Sequence, residues 1–141
     1  MNETTQVAPC GINCGDCEVF LAKDDPIMRD RLLAGGFKEE KLPCPGCRMS
    51  KGKCVVIEAT CETYTCITGR GFKFCFECPE FPCSKLNPAA DRATVLPHNT
   101  KVFNLCFIQR HGLAKFLSKA SEIKRRYYIG KMEIGRGPLL K

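Results

Sequence analysis

The sequence has no apolar run approaching the roughly 20 residues that cross a bilayer, so a membrane-spanning role is excluded at the outset. Its start, Met-Asn-Glu-Thr-Thr-Gln-Val-Ala-Pro, has no basic opening, no apolar stretch of seven or more residues and no small-residue cleavage site. It is not a secretory leader, and the compartment expected from it is the cytoplasm. Histidine is nearly missing, with two residues in 141. The His-Glu pair beside a ligand, a mark of many hydrolytic zinc sites, is absent. So is the ferredoxin run Cys-x2-Cys-x2-Cys. There is no internal repeat of fixed period.

Against these absences stand twelve cysteines, eleven of them between Cys10 and Cys83. Such density suits either an extracellular disulfide scaffold or intracellular thiolate metal sites. With a reducing cytosol expected, closely spaced thiols are read as ligands of soft or borderline metals, and the secreted disulfide scaffold is the disfavoured alternative. The formal net charge of +7 would suggest a nucleic-acid partner. Each zinc bound by four thiolates contributes 2 − 4 = −2, however, so two such sites would leave 7 − 4 = +3. The distribution of charge is then more informative than its total.

The cysteines fall into knuckles: Cys10-Gly-Ile-Asn-Cys14-Gly-Asp-Cys17, Cys44-Pro-Gly-Cys47, Cys61-x4-Cys66 and Cys75-Phe-Glu-Cys78-Pro-Glu-Phe-Pro-Cys83, with Cys54 between the second and third. Three Cys-x2-Cys pairs occur where a random scatter gives about one. Two intervening residues let the chain turn sharply enough for both sulfurs to face one ion about 2.3 Å away. Glycine at the turn, as at Gly15 and Gly46, permits unusual backbone angles and leaves amides free for the sulfurs. All eleven clustered cysteines, Cys10, Cys14, Cys17, Cys44, Cys47, Cys54, Cys61, Cys66, Cys75, Cys78 and Cys83, are candidate metal ligands. They suffice for two four-thiolate zinc sites with three to spare. A third site would need Cys106, His98 or His111. Cys106, among Leu105, Phe107 and Ile108, reads instead as a buried thiol. Which cysteines share an ion is open at this level.

The alternative metal is iron. Cys10-x3-Cys14-x2-Cys17 has the spacing that holds a [4Fe-4S] cluster in radical S-adenosylmethionine enzymes. Those enzymes need a barrel of roughly 200 residues or more, which this chain cannot supply. A structural or electron-transfer cluster remains as the alternative, as does thiol-based redox or metal-handling chemistry. Glu18, Glu77 and Glu80 lie beside cysteines but read equally well as surface charges. No catalytic residue is assigned.

The expected fold is a small metal-stabilised α+β structure. An irregular, knuckle-rich region over 10–86, zinc ribbon-like in style, packs against a helical region over 87–141. Residues 1–9 read as a flexible lead-in and 84–97 as a linker. A short helix is expected over Glu18–Lys23. A second begins after the N-cap Asp25 with Pro26 at its first position, and Gly35-Gly36 stop it. Ile27, Leu32 and Leu33 would be its apolar face. Short strands are expected at Cys54–Ile57 and Phe72–Phe76. Asn99 or Thr100 caps a helix with Val102, Phe103, Cys106 and Phe107 on one face, and Gly112 ends it. Leu113, Phe116, Leu117, Ala120, Ile123 and Tyr127 then recur at helical spacing. The two helices suggest an α-hairpin or a bent pair whose apolar faces cover the knuckles. Gly130, Gly135, Gly137 and Pro138 mark a turn and tail.

Lys115, Lys119, Lys124, Arg125 and Arg126 with Tyr127-Tyr128 form a basic, aromatic stretch that would suit single-stranded nucleic acid. A solvated helix face is the plainer reading. Arg70 and Lys73 beside Gly69 and Gly71 form a weaker phosphate-loop candidate.

The order of the knuckles resembles the prokaryotic family known as domain of unknown function 3795. The resemblance rests on Cys10-Gly11-x2-Cys14-x2-Cys17, Cys44-x-Gly46-Cys47, and Cys75-x2-Cys78-x2-Phe81-Pro82-Cys83 followed by Lys85-Leu86. It spans residues 10–86. The family often has Ile-Arg inside its Cys-x4-Cys unit, where this chain reads Cys61-Glu-Thr-Tyr-Thr-Cys66. The resemblance implies a cysteine-rich, zinc-binding fold of prokaryotes and brings no established activity with it. The protein is thus expected to be a cytoplasmic zinc-binding interaction module with structural sites, its partner a nucleic acid or another protein.

Overall fold

The computed structural model describes residues 6–55, 57–87 and 100–140. Among them are five helices and one two-stranded sheet, a small mixed architecture. Helix α1 covers Glu18–Leu21, α2 Pro26–Ala34, α3 Glu62–Gly69, α4 Thr100–His111 and α5 Leu113–Ile129. Strands β1 (Lys131–Glu133) and β2 (Gly137–Leu139) form an antiparallel hairpin, with Met132 opposite Pro138. No described helix is long and apolar enough to cross a membrane.

Helix α2 begins where its cap chemistry dictates. The Met28 amide donates to Asp25 Oδ1 at 3.0 Å, and Pro26 occupies the first turn. Its inner face is Leu32 with half-buried Leu33 and Met28. Ile27 is 82% exposed, against expectation, because it lies in the first turn beyond the reach of the small core below. That core comprises Val19, Ala22, Leu32, Leu42 and Cys44.

Four further differences are physical in origin. The lead-in is packed from Val7 onward. Val7 is fully buried and bridges Asn13 in antiparallel fashion, because the knuckle folds back onto it. The expected strand over 72–76 is instead an extended entry to a 3-10 turn at Cys75–Glu77. Its start is fixed by Glu77, whose carboxylate accepts the Lys73 and Phe74 amides at 2.6 and 2.7 Å. The strand expected over 54–57 is a turn, with the Ile57 amide donating to the Cys54 carbonyl at 3.1 Å; residue 56 lies outside the described residues. Helix α3, from Glu62, was hidden in sequence by its threonines. Thr65 and Thr68 turn their hydroxyls onto the Cys61 and Tyr64 carbonyls, the helical back-bond available to that side chain.

The helical pair agrees most closely with its periodicity. Gly112 (φ +87) separates α4 from α5. Phe107 meets Phe116 at 6.2 Å and Phe103 meets Tyr127 at 6.1 Å, so the two helices run back along each other as a hairpin. The main core then joins them to the knuckles: Leu105, Ile108, Phe116 and Ile123 pack with Val7, Cys10, Cys14, Ile67, Phe74 and Cys75. The face of α4 is offset from the expected one. Leu105 and Ile108 are its buried apolar residues, while Cys106 is exposed and not a buried thiol. The expected cap Asn99 and the loop residue His98 lie outside the described residues.

Arg48 ties the middle of the chain together. Its Nε donates to the Val7 carbonyl at 2.8 Å and its Nη2 to the Lys73 carbonyl at 2.7 Å, with the guanidinium 4.9 Å from the Phe74 ring centre. Partial burial lowers its pKa, opposed by the neighbouring thiols. The planar fork serves both carbonyls while stacking on the ring, which a lysine cannot do. Arg48→Ala is expected to lower unfolding stability by about 2–4 kcal/mol, with Arg48→Lys recovering less than half. Urea denaturation midpoints of the three proteins would measure this.

Candidate metal centre

All twelve cysteines are free thiols, and no disulfide joins any pair. Eleven of them lie in two adjoining neighbourhoods, and Cys106 stands apart on the exposed side of α4.

The first neighbourhood is built on the Cys10–Cys17 loop. Asn13 organises it: its Oδ1 accepts the Gly15 amide at 3.1 Å, and its Nδ2 donates to Asp16 Oδ2 at 2.8 Å. Gly11, at φ +90, makes the reversal that lets the Ala8 amide donate to the Ile12 carbonyl. The second knuckle comes in beside it. The Cys47 amide donates to Cys14 Sγ at 3.4 Å, the kind of amide–sulfur contact the glycine of a Cys-Pro-Gly-Cys turn leaves open. The Cys44 amide donates to the Val19 carbonyl at 3.0 Å, which fixes that knuckle to α1.

Electrostatics traces the same group. Burial pushes the Cys14 thiol up to about 11, helped by Cys10, Cys17 and Cys44 and opposed by the Cys47 amide. Burial also raises Cys47, with further upward pressure from Cys10, Cys14, Cys61 and Cys54. Cys10 is raised by burial and by Cys61, against the Ile12 amide and Lys101. Thiols that oppose one another's ionisation in this way stay protonated near neutral pH unless a cation sits among them.

The second neighbourhood surrounds a cavity of about 70 Å³, several times the space one water needs. Cys66, Cys75, Cys78 and Cys83 all line it, with Arg70, Glu80 and Lys85 at its polar side. Cys66 comes from α3, Cys75 from the start of the 3-10 turn, Cys78 from the cap at its end, and Cys83 from the loop beyond. Burial pushes Cys75 up to about 12, and Cys10, Cys83, Cys66 and Cys78 add to it. Cys75 faces both groups, and its amide donates to the Pro9 carbonyl at 3.0 Å. Arg70 Nη1 donates to Cys78 Sγ at 3.1 Å and pairs with Glu80.

The donor chemistry fits a soft or borderline ion. A finished coordination shell is a different matter: among the described residues, no three His, Cys, Asp or Glu side chains are gathered as one ion would require.

The acidic residues beside the cysteines have structural partners. Glu18 pairs with Arg31 at 3.3 Å, Glu77 caps its turn, and Glu80 pairs with Arg70. Arg70, a member of the weaker phosphate-loop candidate, is therefore engaged with the thiol cavity. His111 lies against Phe107 at 4.7 Å.

On α5, Lys124 Nζ donates to the Asp16 carbonyl at 2.5 Å and Arg126 Nε to the Pro138 carbonyl at 3.1 Å. Lys119 pairs with Glu122 at 3.2 Å, and Tyr127 is half-buried against Phe103. Lys115, Lys119 and Arg125 remain exposed. Sequence reasoning missed the inward roles of Lys124, Arg126, Arg48 and Asn104. An asparagine inside the apolar stretch Val102–Ile108 was the one visible signal.

Fold and site together define a cysteine-rich α+β protein in which knuckles from distant parts of the chain are brought side by side. Residues 6–88, more than half of the chain, match the family described as protein of unknown function (DUF3795), and the chain belongs to that family. No curated protein and no solved structure matches the chain. Helices α4 and α5 lie beyond the matched residues.

Proposed function

We propose that the protein is a metal-binding protein whose thiols hold two zinc ions in structural sites, leaving its outer surface to serve as an interaction module. The observation that supports this most is the shared cavity of Cys66, Cys75, Cys78 and Cys83, four thiols contributed by three separate segments. Those four would form one site. Cys10, Cys14 and Cys47, with a fourth ligand from Cys17, Cys44, Cys54 or Cys61, would form the other. Bound zinc would neutralise the mutual opposition of the thiolates, and the two amide and guanidinium contacts to Cys14 and Cys78 would orient those sulfurs.

The second reading places a [4Fe-4S] cluster at the cavity. Its supporting observation is the size of that space, beside the cations Arg70 and Lys85. A cluster held by four thiolates is negatively charged and would be favoured there.

Metal analysis of the protein as purified tests both. Two zinc per chain with no visible absorption is expected; iron with acid-labile sulfide and broad visible absorption would replace the first reading with the second. Thiol titration adds a further prediction. In the metal-loaded protein Cys106, exposed and outside both groups, reacts first with a thiol reagent, and the clustered thiols react only after chelation. Rapid modification of all twelve before chelation would refute ligation altogether.

A further inference from the structure

Besides the Cys47 amide on Cys14, the Cys10–Cys17 loop is held from outside by two side chains of the helical hairpin that follows the family-matched segment. Near its start, the Gly11 carbonyl accepts a hydrogen bond from Asn104 Nδ2 at 2.7 Å. Near its end, between Cys14 and Cys17, the Asp16 carbonyl accepts one from Lys124 Nζ at 2.5 Å. The first contact is deeply buried: Asn104 is 5% exposed, and its Oδ1 has no partner among the described residues. A polar side chain with an unpartnered oxygen is a costly occupant of an apolar core. What it supplies there is the bond to the knuckle. Backbone contact reinforces it, since a Cβ at Gly11 would lie 2.7 Å from the Lys101 carbonyl oxygen.

We propose that Asn104 and Lys124 are positioning residues for the metal bound at the Cys10–Cys17 knuckle, so that the helical hairpin is part of that centre's outer shell. The inference rests on the metal-binding reading above. Two carbonyls inside the loop, one just after Cys10 and one just before Cys17, are fixed from one side, which leaves the sulfurs' directions set by helix packing as well as by the loop itself. Lys124 also brings a positive charge to a loop that turns anionic when its thiols ligate. The other neighbourhood has its own outer contact, Arg70 to Cys78, and neither Asn104 nor Lys124 hydrogen-bonds to it.

The test is stepwise zinc removal from the full-length protein by a chromophoric chelator, with the two steps assigned by Cys78→Ser, which disables the cavity site. Lys124→Met and Asn104→Leu are each expected to weaken the first-knuckle site by about 10–100-fold and leave the cavity site unchanged. Lys124→Arg is expected to restore most of the loss. Cobalt loaded in place of zinc should show altered ligand-field bands in the same two variants and normal ones in Lys124→Arg. Should Asn104→Leu fail to fold, Lys124→Met, altered at a part-exposed position, carries the test alone. Unchanged first-site affinity, or equal weakening of both sites, overturns the inference while the metal reading stands. A wild-type protein that takes up no metal overturns both.

Discussion

Stripping the metal with a strong chelator is expected to abolish the cooperative thermal transition, or to lower its midpoint by more than about 15 °C. The reason lies in how little else holds the part of the knuckle region around α1 and α2. Its satellite core is five residues, Val19, Ala22, Leu32, Leu42 and Cys44, two of them no larger than a cysteine. Helix α1 is four residues long, far below the length at which a helix stands without tertiary support. A structural zinc site contributes about 10–16 kcal/mol of apparent binding energy at neutral pH, while a domain nets about 5–15 kcal/mol in all. On the two-zinc reading proposed above, loss of either ion would therefore consume most of the margin. The helical hairpin would not be spared, because Leu105, Phe116 and Ile123 pack on Cys10, Cys14 and Cys75 and would face water once those residues separate. Far-ultraviolet circular dichroism with metal analysis on the same sample measures it. A fully metal-free protein with the spectrum and transition of the loaded one would refute the structural role.

The parts legible in sequence were those with one strong local cause. Asp25-Pro26 set the start of α2, Gly112 set the break between α4 and α5, and Phe116, Ala120, Ile123 and Tyr127 announced the inner face of α5. The cysteine spacing announced the knuckles but not their partners. Knuckle pairing depends on contacts far apart in the chain, such as the Cys47 amide to Cys14 across 33 positions, and no local pattern encodes them. Helix α3 was invisible because its threonines and glycine argue against helix by propensity, while burial of Thr63 and Ile67 against the core overrides that preference. Lys124 looked like a surface cation for the same kind of reason. Periodicity places a side chain on a face of its helix, yet a long amphipathic chain at the edge of that face can reach inward to a carbonyl.

Gly11→Ala is the substitution expected to do most damage for the fewest atoms. At φ +90 an alanine is strained by about 1–2 kcal/mol. Its methyl group would also lie 2.7 Å from the Lys101 carbonyl oxygen and 2.9 Å from Leu105 Cγ. The first is backbone of α4 and the second is a fully buried side chain, so neither can swing aside. Overpacking of this kind costs about 1–3 kcal/mol more. The total, about 2–5 kcal/mol, is a large share of a small protein's stability. Gly71→Ala is the matched control: its φ of +77 imposes similar strain, but nothing lies within 4 Å of the added methyl. The difference between the two variants in urea denaturation isolates the steric part, expected at about 1–3 kcal/mol. Because the clash sits between the knuckle and α4, Gly11→Ala should also weaken metal uptake at the first neighbourhood, whereas Gly71→Ala should not. Equal stability of the two variants would mean that the knuckle does not rest directly on the helix.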